Sequence, residues 1–560
     1  MPDATPNPSE ENPETNESPA SETGPEPSSG GAAKPRRFRW KIGLGIFLLG
    51  ALIYLVLRQS TDGDRTQQIF YAYIVFPSTA LLLGVWWVFF SGLLWKTKAR
   101  CLIALALLPA LFRNDGFQGD FVPEIRFRWS GSIEDDSAEF YDANPTGARA
   151  NDGTLSHLSL APIVQPGDWP EFRGALRDGI LRDVTLRTDW DANPPELLWK
   201  HRIGLGWSSF SIVGEFAFTQ EQRLDEELVV CYDASSGEQL WAHADEVRLV
   251  SSLGGDGPRA TPTFYESRLY ALGATGILNC LDPVTGSVIW SRNILEDADV
   301  GVRQFGMSGS PLVYDDVVVV NAGGAKNIAN SQLNRDKGVI AYDRLTGDIV
   351  WAHGSRPAGY AAPRLETIGG VRQVLIYGSD AIAGHDAATG EELWWYPWKN
   401  HSDNNCAQPI LLDDETLFVS SGYGLGSVLL SIEPTGDGRN SKPTGWKTTK
   451  RFKLKFNGGV LKDGYIYGLN EGILTCLDVA TGKHTWKKGR YKFGQILLVG
   501  DVILVLSEDG EVALVETNPK KFREITRIKA IEGKTWNHPV IHNGRLYVRN
   551  SEEAACFDLR

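Results

Sequence analysis

Apolar residues are distributed unevenly along the chain. Residues 42–57 and 69–95 are almost continuously apolar and carry no charged side chain, a pattern typical of membrane-spanning helices. A shorter stretch, residues 101–112, has the same character. The pattern predicts a transmembrane region over 40–112 with three helices, at about 40–57, 69–95 and 99–114.

The charges beside these stretches predict their orientation. Basic side chains precede the first stretch at Lys34, Arg36, Arg37, Arg39 and Lys41, and the third at Lys96, Lys98 and Arg100. Because cationic loops stay in the cytoplasm, three spans would place the N-terminus inside and everything after residue 113 outside, whereas two spans would leave both inside. We expect an integral protein of the inner (cytoplasmic) membrane, with its C-terminal region extracytoplasmic, or periplasmic.

Beyond residue 168 the pattern changes to short alternating segments, and one string recurs. Its copies are VVCYDASSGEQLW at 229–241, LNCLDPVTGSVIW at 278–290, VIAYDRLTGDIVW at 339–351, IAGHDAATGEELW at 382–394 and LTCLDVATGKHTW at 474–486. An Asp side chain can accept a bond from the backbone two residues on, and Gly supplies the positive φ of a short hairpin loop. Each string therefore predicts two antiparallel strands joined at its Asp-to-Gly segment.

Each unit also carries an earlier pair of alternating segments, such as PTFYESRLYALG at 262–273. Four strands in about 40 to 50 residues are typical of a β-propeller blade. The last unit lacks its Trp-bearing strand, whereas a lone copy of that strand, PPELLWK, lies at 194–200 before the first unit. We predict that this early strand completes the last blade and removes an open sheet edge.

The predicted fold class is all-β, an eight-bladed β-propeller of four-stranded blades, preceded by a helical transmembrane region. Eight outer strands are expected, near residues 199, 241, 290, 351, 394, 446, 486 and 526. The predicted regions are a disordered acidic tail with a basic juxtamembrane end at 1–39, the helices at 40–112, a linker at 113–167 and the propeller at 168–560.

The recurring string resembles the tryptophan-docking motif of PQQ-like (quinoprotein-type) eight-bladed propellers, a family that includes quinone-dependent dehydrogenases and the non-catalytic protein BamB. The resemblance covers about residues 168–560 and implies that each motif Trp packs on the adjacent blade, near its small residue and its Gly. The docking tryptophans would be Trp199, Trp241, Trp290, Trp351, Trp394 and Trp486. The partner glycines would be Gly237, Gly286, Gly347, Gly390 and Gly482, and the small residues Cys231, Cys280, Ala341, Gly384 and Cys476.

Charge and cysteine content narrow the functional classes. The formal net charge of −13 argues against a nucleic-acid partner. The six cysteines lie singly, without metal-ligand spacing, and predict neither a disulfide framework nor a metal site. The alcohol-oxidising branch of the family presents an adjacent Cys-Cys disulfide to its quinone, and this chain has no such pair. No catalytic residue, metal or cofactor is therefore predicted, and PQQ with Ca²⁺ is the alternative.

If a small ligand binds, geometry places its site at one mouth of the central channel, among residues just before the first strand of each blade. The alternative is that these residues only pack the channel. The candidates are Arg259, Ser308, Ser310, Tyr360, Gln408, Trp536, Asn537 and His538.

These observations predict a BamB-like, membrane-anchored scaffold that binds protein partners through propeller loops. The long polar loop 321–338 is the first candidate, since long loops in compact domains are often functional. The alternative is a PQQ-dependent dehydrogenase that oxidises an alcohol, aldehyde or sugar.

Overall fold

The computed structural model describes residues 40–61, 65–148, 162–182, 184–323, 337–433, 442–448 and 451–560. The predicted disordered tail lies outside the described residues, and so does most of the loop 321–338.

Three helices open the described part of the chain: α1 (Trp40–Gln59), α2 (Arg65–Phe90) and α3 (Trp95–Leu107). The first two are antiparallel and close, because a Cβ on Gly50 would lie only 2.2 Å from Thr79 Oγ1. Small residues allow this kind of approach between membrane helices. Both are long and apolar enough to cross a membrane.

The third helix differs from the predicted segment 99–114. α3 has 13 residues and is followed by a 3₁₀ turn, Leu108–Leu111. Pro109 has no backbone N–H with which to continue the α-helix, and a strand begins at Phe112. α3 alone is shorter than the roughly 20 residues that a spanning helix needs.

The segment predicted as a linker contains secondary structure. Strands β1 (Phe112–Phe117) and β2 (Pro123–Phe127) form an antiparallel hairpin. Helix α4 (Ile133–Ala143) begins with a capping box between Ser132 and Asp135, which satisfies two backbone N–H groups of its first turn. A short strand, β3 (Gly147–Ala148), follows.

Eight sheets confirm the predicted propeller: six have four strands, and two have a fifth strand added to their four blade strands. Two strands precede the first complete blade: β4 (Ile180–Leu181) and β5 (Glu196–Arg202). Blade 1 comprises β6–β9 (Ser211–Val213, Phe216–Arg223, Glu226–Asp233 and Gln239–Asp245). Blade 2 comprises β10–β13 (Thr263–Tyr265, Arg268–Leu272, Ile277–Leu281 and Val288–Asn293), followed by α5 (Ile294–Ala298). Blade 3 comprises β14–β17 (Leu312–Tyr314, Val317–Asn321, Val339–Asp343 and Ile349–His353). Blade 4 comprises β18–β21 (Arg364–Ile368, Val371–Tyr377, Ala381–Asp386 and Glu392–Pro397).

The second half of the ring follows the same order. Blade 5 comprises β22–β25 (Ile410–Leu411, Thr416–Ser421, Gly426–Ser431 and Lys442–Thr448). Blade 6 comprises β26–β29 (Val460–Lys462, Tyr465–Asn470, Ile473–Asp478 and Lys483–Arg490). Blade 7 comprises β30–β33 (Gln495–Val499, Val502–Leu506, Glu511–Glu516 and Glu524–Lys529). Blade 8 comprises β34–β36 (Val540–His542, Arg545–Arg549 and Glu553–Asp558) together with β5.

The ring closes as predicted, because β5 pairs antiparallel with β36 and sets Trp199 opposite Cys556. Two further segments extend the blades. β3 pairs with β9 at the outer edge of blade 1, and β4 pairs in parallel with β30 of blade 7. Segments preceding the ring thus cover edges that would otherwise expose unpaired backbone groups.

The recurring string forms the hairpin that its residues predict. In blade 2, Asp282 Oδ1 accepts hydrogen bonds from the backbone N–H groups of Val284 at 3.0 Å and Thr285 at 2.8 Å. Gly286 has a φ of +72°, which a residue with a Cβ adopts only under strain. A β-bulge follows Cys280 in the register with β13.

Candidate ligand cavity on the propeller axis

All eight blades contribute to a cavity of about 190 Å³, mostly through loops that precede their first strands, and blade 7 through Gln495 at the start of β30. It therefore lies on the axis of the ring. Of the eight predicted channel-mouth residues, six line it: Arg259, Ser308, Tyr360, Gln408, Trp536 and His538.

The other two candidates are buried beside the cavity and hold neighbouring strands. Ser310 Oγ accepts a bond from the Thr261 N–H at 2.9 Å, and Asn537 Nδ2 donates to the Ser208 carbonyl at 2.7 Å. These bonds satisfy polar groups that would be costly to bury alone.

Aromatic rings make up much of the wall. Trp536 lies 4.6 Å from Trp207 and 5.0 Å from Phe456, measured between ring centroids. Phe305 and Tyr360 form an edge-to-face pair at 5.6 Å. Such walls suit a flat or apolar ligand, because rings offer large apolar faces at defined angles.

The one basic side chain of the wall is already engaged. Arg259 donates to the carbonyls of Gly254 at 3.2 Å, Gly255 at 2.6 Å and Gly257 at 2.7 Å. Burial lowers the pKa of Arg259 to about 10, because the charged form loses hydration. Three of the five N–H groups of its guanidinium therefore stabilise a loop.

Three other polar atoms of the wall have no hydrogen-bond partner among the described residues: Ser308 Oγ, Gln495 Oε1 and His538 Nδ1. Burial, and secondarily the charge of Arg173, lowers the pKa of His538 well below its ordinary value. A neutral imidazole with a free nitrogen can donate or accept one hydrogen bond. The cavity can therefore bind a largely apolar molecule through a few hydrogen bonds.

One end of the cavity is formed by residues 168–179, here called the floor. Phe172 packs edge-on against His538 at 5.0 Å. Arg177 donates to the carbonyls of Pro363 at 2.8 Å and Ser310 at 3.3 Å, and Arg173 donates to that of Gly459 at 2.8 Å. The floor thus ties blades 3, 4 and 6 together across the axis.

The other end is covered by residues 118–121, here called the plug, at the tip of the β1–β2 hairpin. Gly119 and Phe121 line the cavity. The Gly119 N–H donates to Glu508 at 2.7 Å, and Arg65 of α2 lies 2.5 Å from Asp120. Sequence reasoning missed the plug, although the alternation in PEIRFRW at 123–129 indicates a strand beside it.

The motif tryptophans lie at the blade junctions. Trp241 Nε1 donates to the Pro283 carbonyl at 3.0 Å, and a Cβ on Gly286 would lie 2.5 Å from that indole ring. The same arrangement pairs Trp199 with Gly237, Trp290 with Gly347, Trp351 with Gly390 and Trp446 with Gly482.

Two motif tryptophans have other partners. Trp394 donates to Gln373 Oε1 at 2.6 Å, and Trp486 donates to the Asn518 carbonyl at 2.8 Å. Trp446, which the sequence analysis left out of the docking set, is the tryptophan that meets Gly482. Its string, LSIEPTGDG, had lost the small residue and was recognisable only by its position between two better copies.

Fold and cavity define the class: an eight-bladed propeller with a covered axial cavity. The family model described as "Outer membrane protein assembly factor BamB" matches residues 225–488. Residues 225–488, just under half of this chain, are thus similar to that family and carry PQQ-like repeats.

Two curated proteins are similar over shorter stretches. Quinohemoprotein alcohol dehydrogenase ADH IIB of Pseudomonas putida is 28% identical over 137 residues, 24% of this chain and 18% of that protein. Tetrathionate hydrolase of Acidithiobacillus ferrooxidans is 25% identical over 173 residues, 29% of this chain and 32% of that protein. The chain matches less than a third of the length of either relative.

Solved structures share the fold. Quinohemoprotein alcohol dehydrogenase ADHIIG of Pseudomonas putida HK5 superimposes with a TM-score of 0.51 at 14% identity, covering 74% of this chain and 83% of that one. BamB from Moraxella catarrhalis gives a TM-score of 0.45 at 17% identity, covering 65% and 99%.

The wall fits a quinone with a bound metal poorly. Cys406 is the one cysteine of the wall and has no neighbouring cysteine in the sequence. Within the described residues, no group of three or more His, Cys, Asp or Glu side chains is placed to hold a metal ion. Arg259, the basic residue that could face a carboxylate, is engaged by three carbonyls.

Proposed function

We propose that the protein is a membrane-anchored, extracytoplasmic β-propeller that acts as a protein-interaction or assembly scaffold. The observation that carries the proposal is the construction of the cavity. Its two ends are formed by the chain's own floor and plug, and its single basic side chain is bonded to backbone carbonyls. The surfaces left for other macromolecules are the loops and the outer edges of the blades, as in scaffold propellers.

The arrangement of the helices supports an extracytoplasmic position of the propeller. The start of α2 touches the ring, because Thr66 Oγ1 lies 2.6 Å from Lys455 Nζ. The end of α2 lies near the start of α3, because Lys98 Nζ donates to the Val88 carbonyl. The chain must therefore return from the far end of α2 to the ring through α3 and the 3₁₀ turn. These 13 and 4 residues span roughly 28 Å at 1.5 and 2.0 Å per residue, close to the thickness of a bilayer core.

This arrangement puts the residue 40 end of α1 and the propeller at opposite ends of the helical region. With the basic cluster before α1 in the cytoplasm, the propeller lies outside. Protease added to intact spheroplasts is expected to digest the propeller and spare an epitope on the N-terminal tail. Protection of the propeller in intact spheroplasts, with digestion after lysis, would contradict this topology.

A quinone-dependent dehydrogenase is the second candidate. Its support is the similarity to an alcohol dehydrogenase over 137 residues and the aromatic wall of the cavity. When bound, such a cofactor would accept two electrons from a substrate. Trp536 and Trp207 would be the residues to stack on it, and Ser308 and His538 those to hydrogen-bond it.

One pair of measurements separates the candidates. The purified full chain, incubated with PQQ and Ca²⁺, is expected not to reduce an artificial electron acceptor with alcohols, aldehydes or sugars. A photo-crosslinking residue at Lys337, in the loop 321–338, is expected to capture a defined membrane or envelope protein in native membranes, whereas one at the motif turn residue Leu345 is not. Substrate-dependent dye reduction that Trp536→Ala abolishes would instead establish the dehydrogenase.

A further inference from the structure

The β1–β2 hairpin has two unlike faces. Its register pairs Phe112 with Phe127 and Asn114 with Ile125, so alternate side chains share a face. On one face, Phe127 stacks on Phe112 at 5.0 Å and on Trp129 at 5.2 Å. Ile125, Phe127 and Trp129 are 55%, 49% and 70% exposed, an unusual concentration of large apolar side chains for a surface hairpin.

The opposite face of the hairpin contacts the ring. Lys534 Nζ donates to the Phe117 carbonyl at 3.1 Å and to Glu124 Oε2 at 2.9 Å. Arg126 lies 4.0 Å from Glu552. Because the polar side chains are turned to the propeller, the aromatic side chains are turned away from it.

The aromatic face is continuous with the apolar helices. The Arg128 N–H donates to the Leu111 carbonyl at 2.9 Å, which joins β2 to the end of the 3₁₀ turn. At the tip of the hairpin, Phe121 packs on Phe70 of α2 at 5.4 Å. The exposed aromatic side chains thus adjoin segments that are themselves apolar and exposed, such as Leu108 at 51%.

We infer that this hairpin lies in the interfacial layer of a phospholipid bilayer and turns the plugged face of the propeller toward the membrane. The inference rests on the membrane anchorage proposed above. Aromatic side chains concentrate at the level of the lipid headgroups, where their apolar rings leave water. The hairpin therefore fixes the orientation of the ring as well as its distance from the membrane.

Site-directed spin labelling tests the inference. The full chain, with the exposed Cys101 replaced (Cys101→Ser), would carry a nitroxide at Phe127→Cys or Trp129→Cys in nanodiscs of phosphatidylcholine and phosphatidylglycerol. Leu48→Cys in α1 serves as the lipid reference. Leu345→Cys, 47% exposed in a turn at the opposite end of the strands from the cavity-lining loops, serves as the aqueous reference. We expect labels at 127 and 129 to collide more with oxygen than with a water-soluble nickel chelate, as at 48, and the label at 345 to show the reverse.

The other outcomes are distinguishable. Aqueous behaviour at 127 and 129, with lipid exposure at 48, would overturn the interfacial hairpin and leave the anchorage intact. Aqueous behaviour at 48 as well would overturn the anchorage on which the inference rests. Labels at 127 and 129 that are shielded from both reagents would identify a protein, or a second copy of the chain, as what covers this face, and would also overturn the inference.

Discussion

The two ends of the axial cavity are closed by different chemistry. The floor is held by buried arginines that donate to backbone carbonyls of three blades, including Pro363, Ser310 and Gly459. The plug is held largely by carboxylates and a lysine: Glu508 accepts from the Gly119 N–H, Asp120 pairs with Arg65, and Lys455 lies 3.5 Å from the Gly119 carbonyl. Backbone acceptors are fixed by the sheets, whereas contacts between charged side chains weaken with salt and pH. The floor is thus part of the folded ring, and the plug is a contact between the ring and the N-terminal region that contains the apolar helices.

Removing a floor arginine should have the largest effect on stability. Arg177→Ala deletes bonds to blades 2, 3 and 4 and leaves the mostly buried Glu171 without its partner. Leaving a buried charge unpaired costs about 3–5 kcal/mol. We expect a correspondingly lower free energy of unfolding, measured by urea titration of the full chain in detergent with tryptophan fluorescence as the probe.

The matched control is Arg182→Ala in the same part of the chain. The Arg182 side chain is 51% exposed and pairs with Asp178, so its loss should cost about 0.5 kcal/mol or less. Equal midpoints for the two variants would show that the floor does not hold the ring together.

A blade junction should be the next most sensitive site. Gly286→Ala puts a Cβ 2.5 Å from Trp241 at a φ of +72°. Gly464 has a φ of +78° with open space around it, so Gly464→Ala carries backbone strain alone. We expect Gly286→Ala to be the more destabilising by about 1–2 kcal/mol, from overpacking, in the same titration. Equal losses of unfolding free energy in the two variants would contradict the docking role of Trp241.

The plug should show the smallest effect, and one that depends on pH. Burial raises the pKa of Glu508, although bonds from Gly119 and Trp536 partly offset it. A carboxyl with a raised folded-state pKa binds more protons in the native state, so native stability falls as pH rises above its ordinary value of 4.5. Relative to Glu508→Gln, the wild type should therefore lose stability as the pH rises from 4.5 to the raised pKa, and this loss should be smaller than the effects of the two substitutions above.

The measurement for the plug is the thermal midpoint of both proteins across this pH range. The control is Glu516→Gln, which alters a partly exposed carboxyl of the same blade that pairs with Arg523. Its thermal midpoint should change with pH as that of the wild type does. If the thermal midpoint of Glu508→Gln also follows that of the wild type across this pH range, protonation of Glu508 does not affect stability through its contact with the plug.

The ring could be predicted because its units repeat. Five copies of one string gave the blade, and the lone strand around Trp199 gave the closure that pairs it with Cys556. The cavity wall was predicted in part: six of the eight candidates line it. This was possible because the repeat fixes the positions just before the first strand of each blade. Ser310 and Asn537 were wrong as lining residues, since alternation along the chain does not reveal which polar group a neighbouring strand will bond.

The floor and the plug could not be predicted in the same way, because neither repeats. The floor was predicted only as the start of the propeller region, and the segment containing Gly119 was treated as a linker. Their positions depend on contacts with residues hundreds of positions later, such as Gly459 and Glu508. The third helix was predicted over 99–114, but the α-helix begins at Trp95 and ends at Leu107, because a 3₁₀ turn that contains Pro109 follows it.

The pairing of β5 with β36 also has a consequence for how the protein is made. β5 is synthesised before any complete blade, and its partner is the last strand of the ring. Until β36 emerges, the edge of β5 and the unfinished eighth blade offer unpaired backbone groups to any other strand. On the extracytoplasmic topology proposed above, that edge must stay protected throughout translocation of the ring, so chaperones that bind extended segments should matter more for its biogenesis than for its finished form.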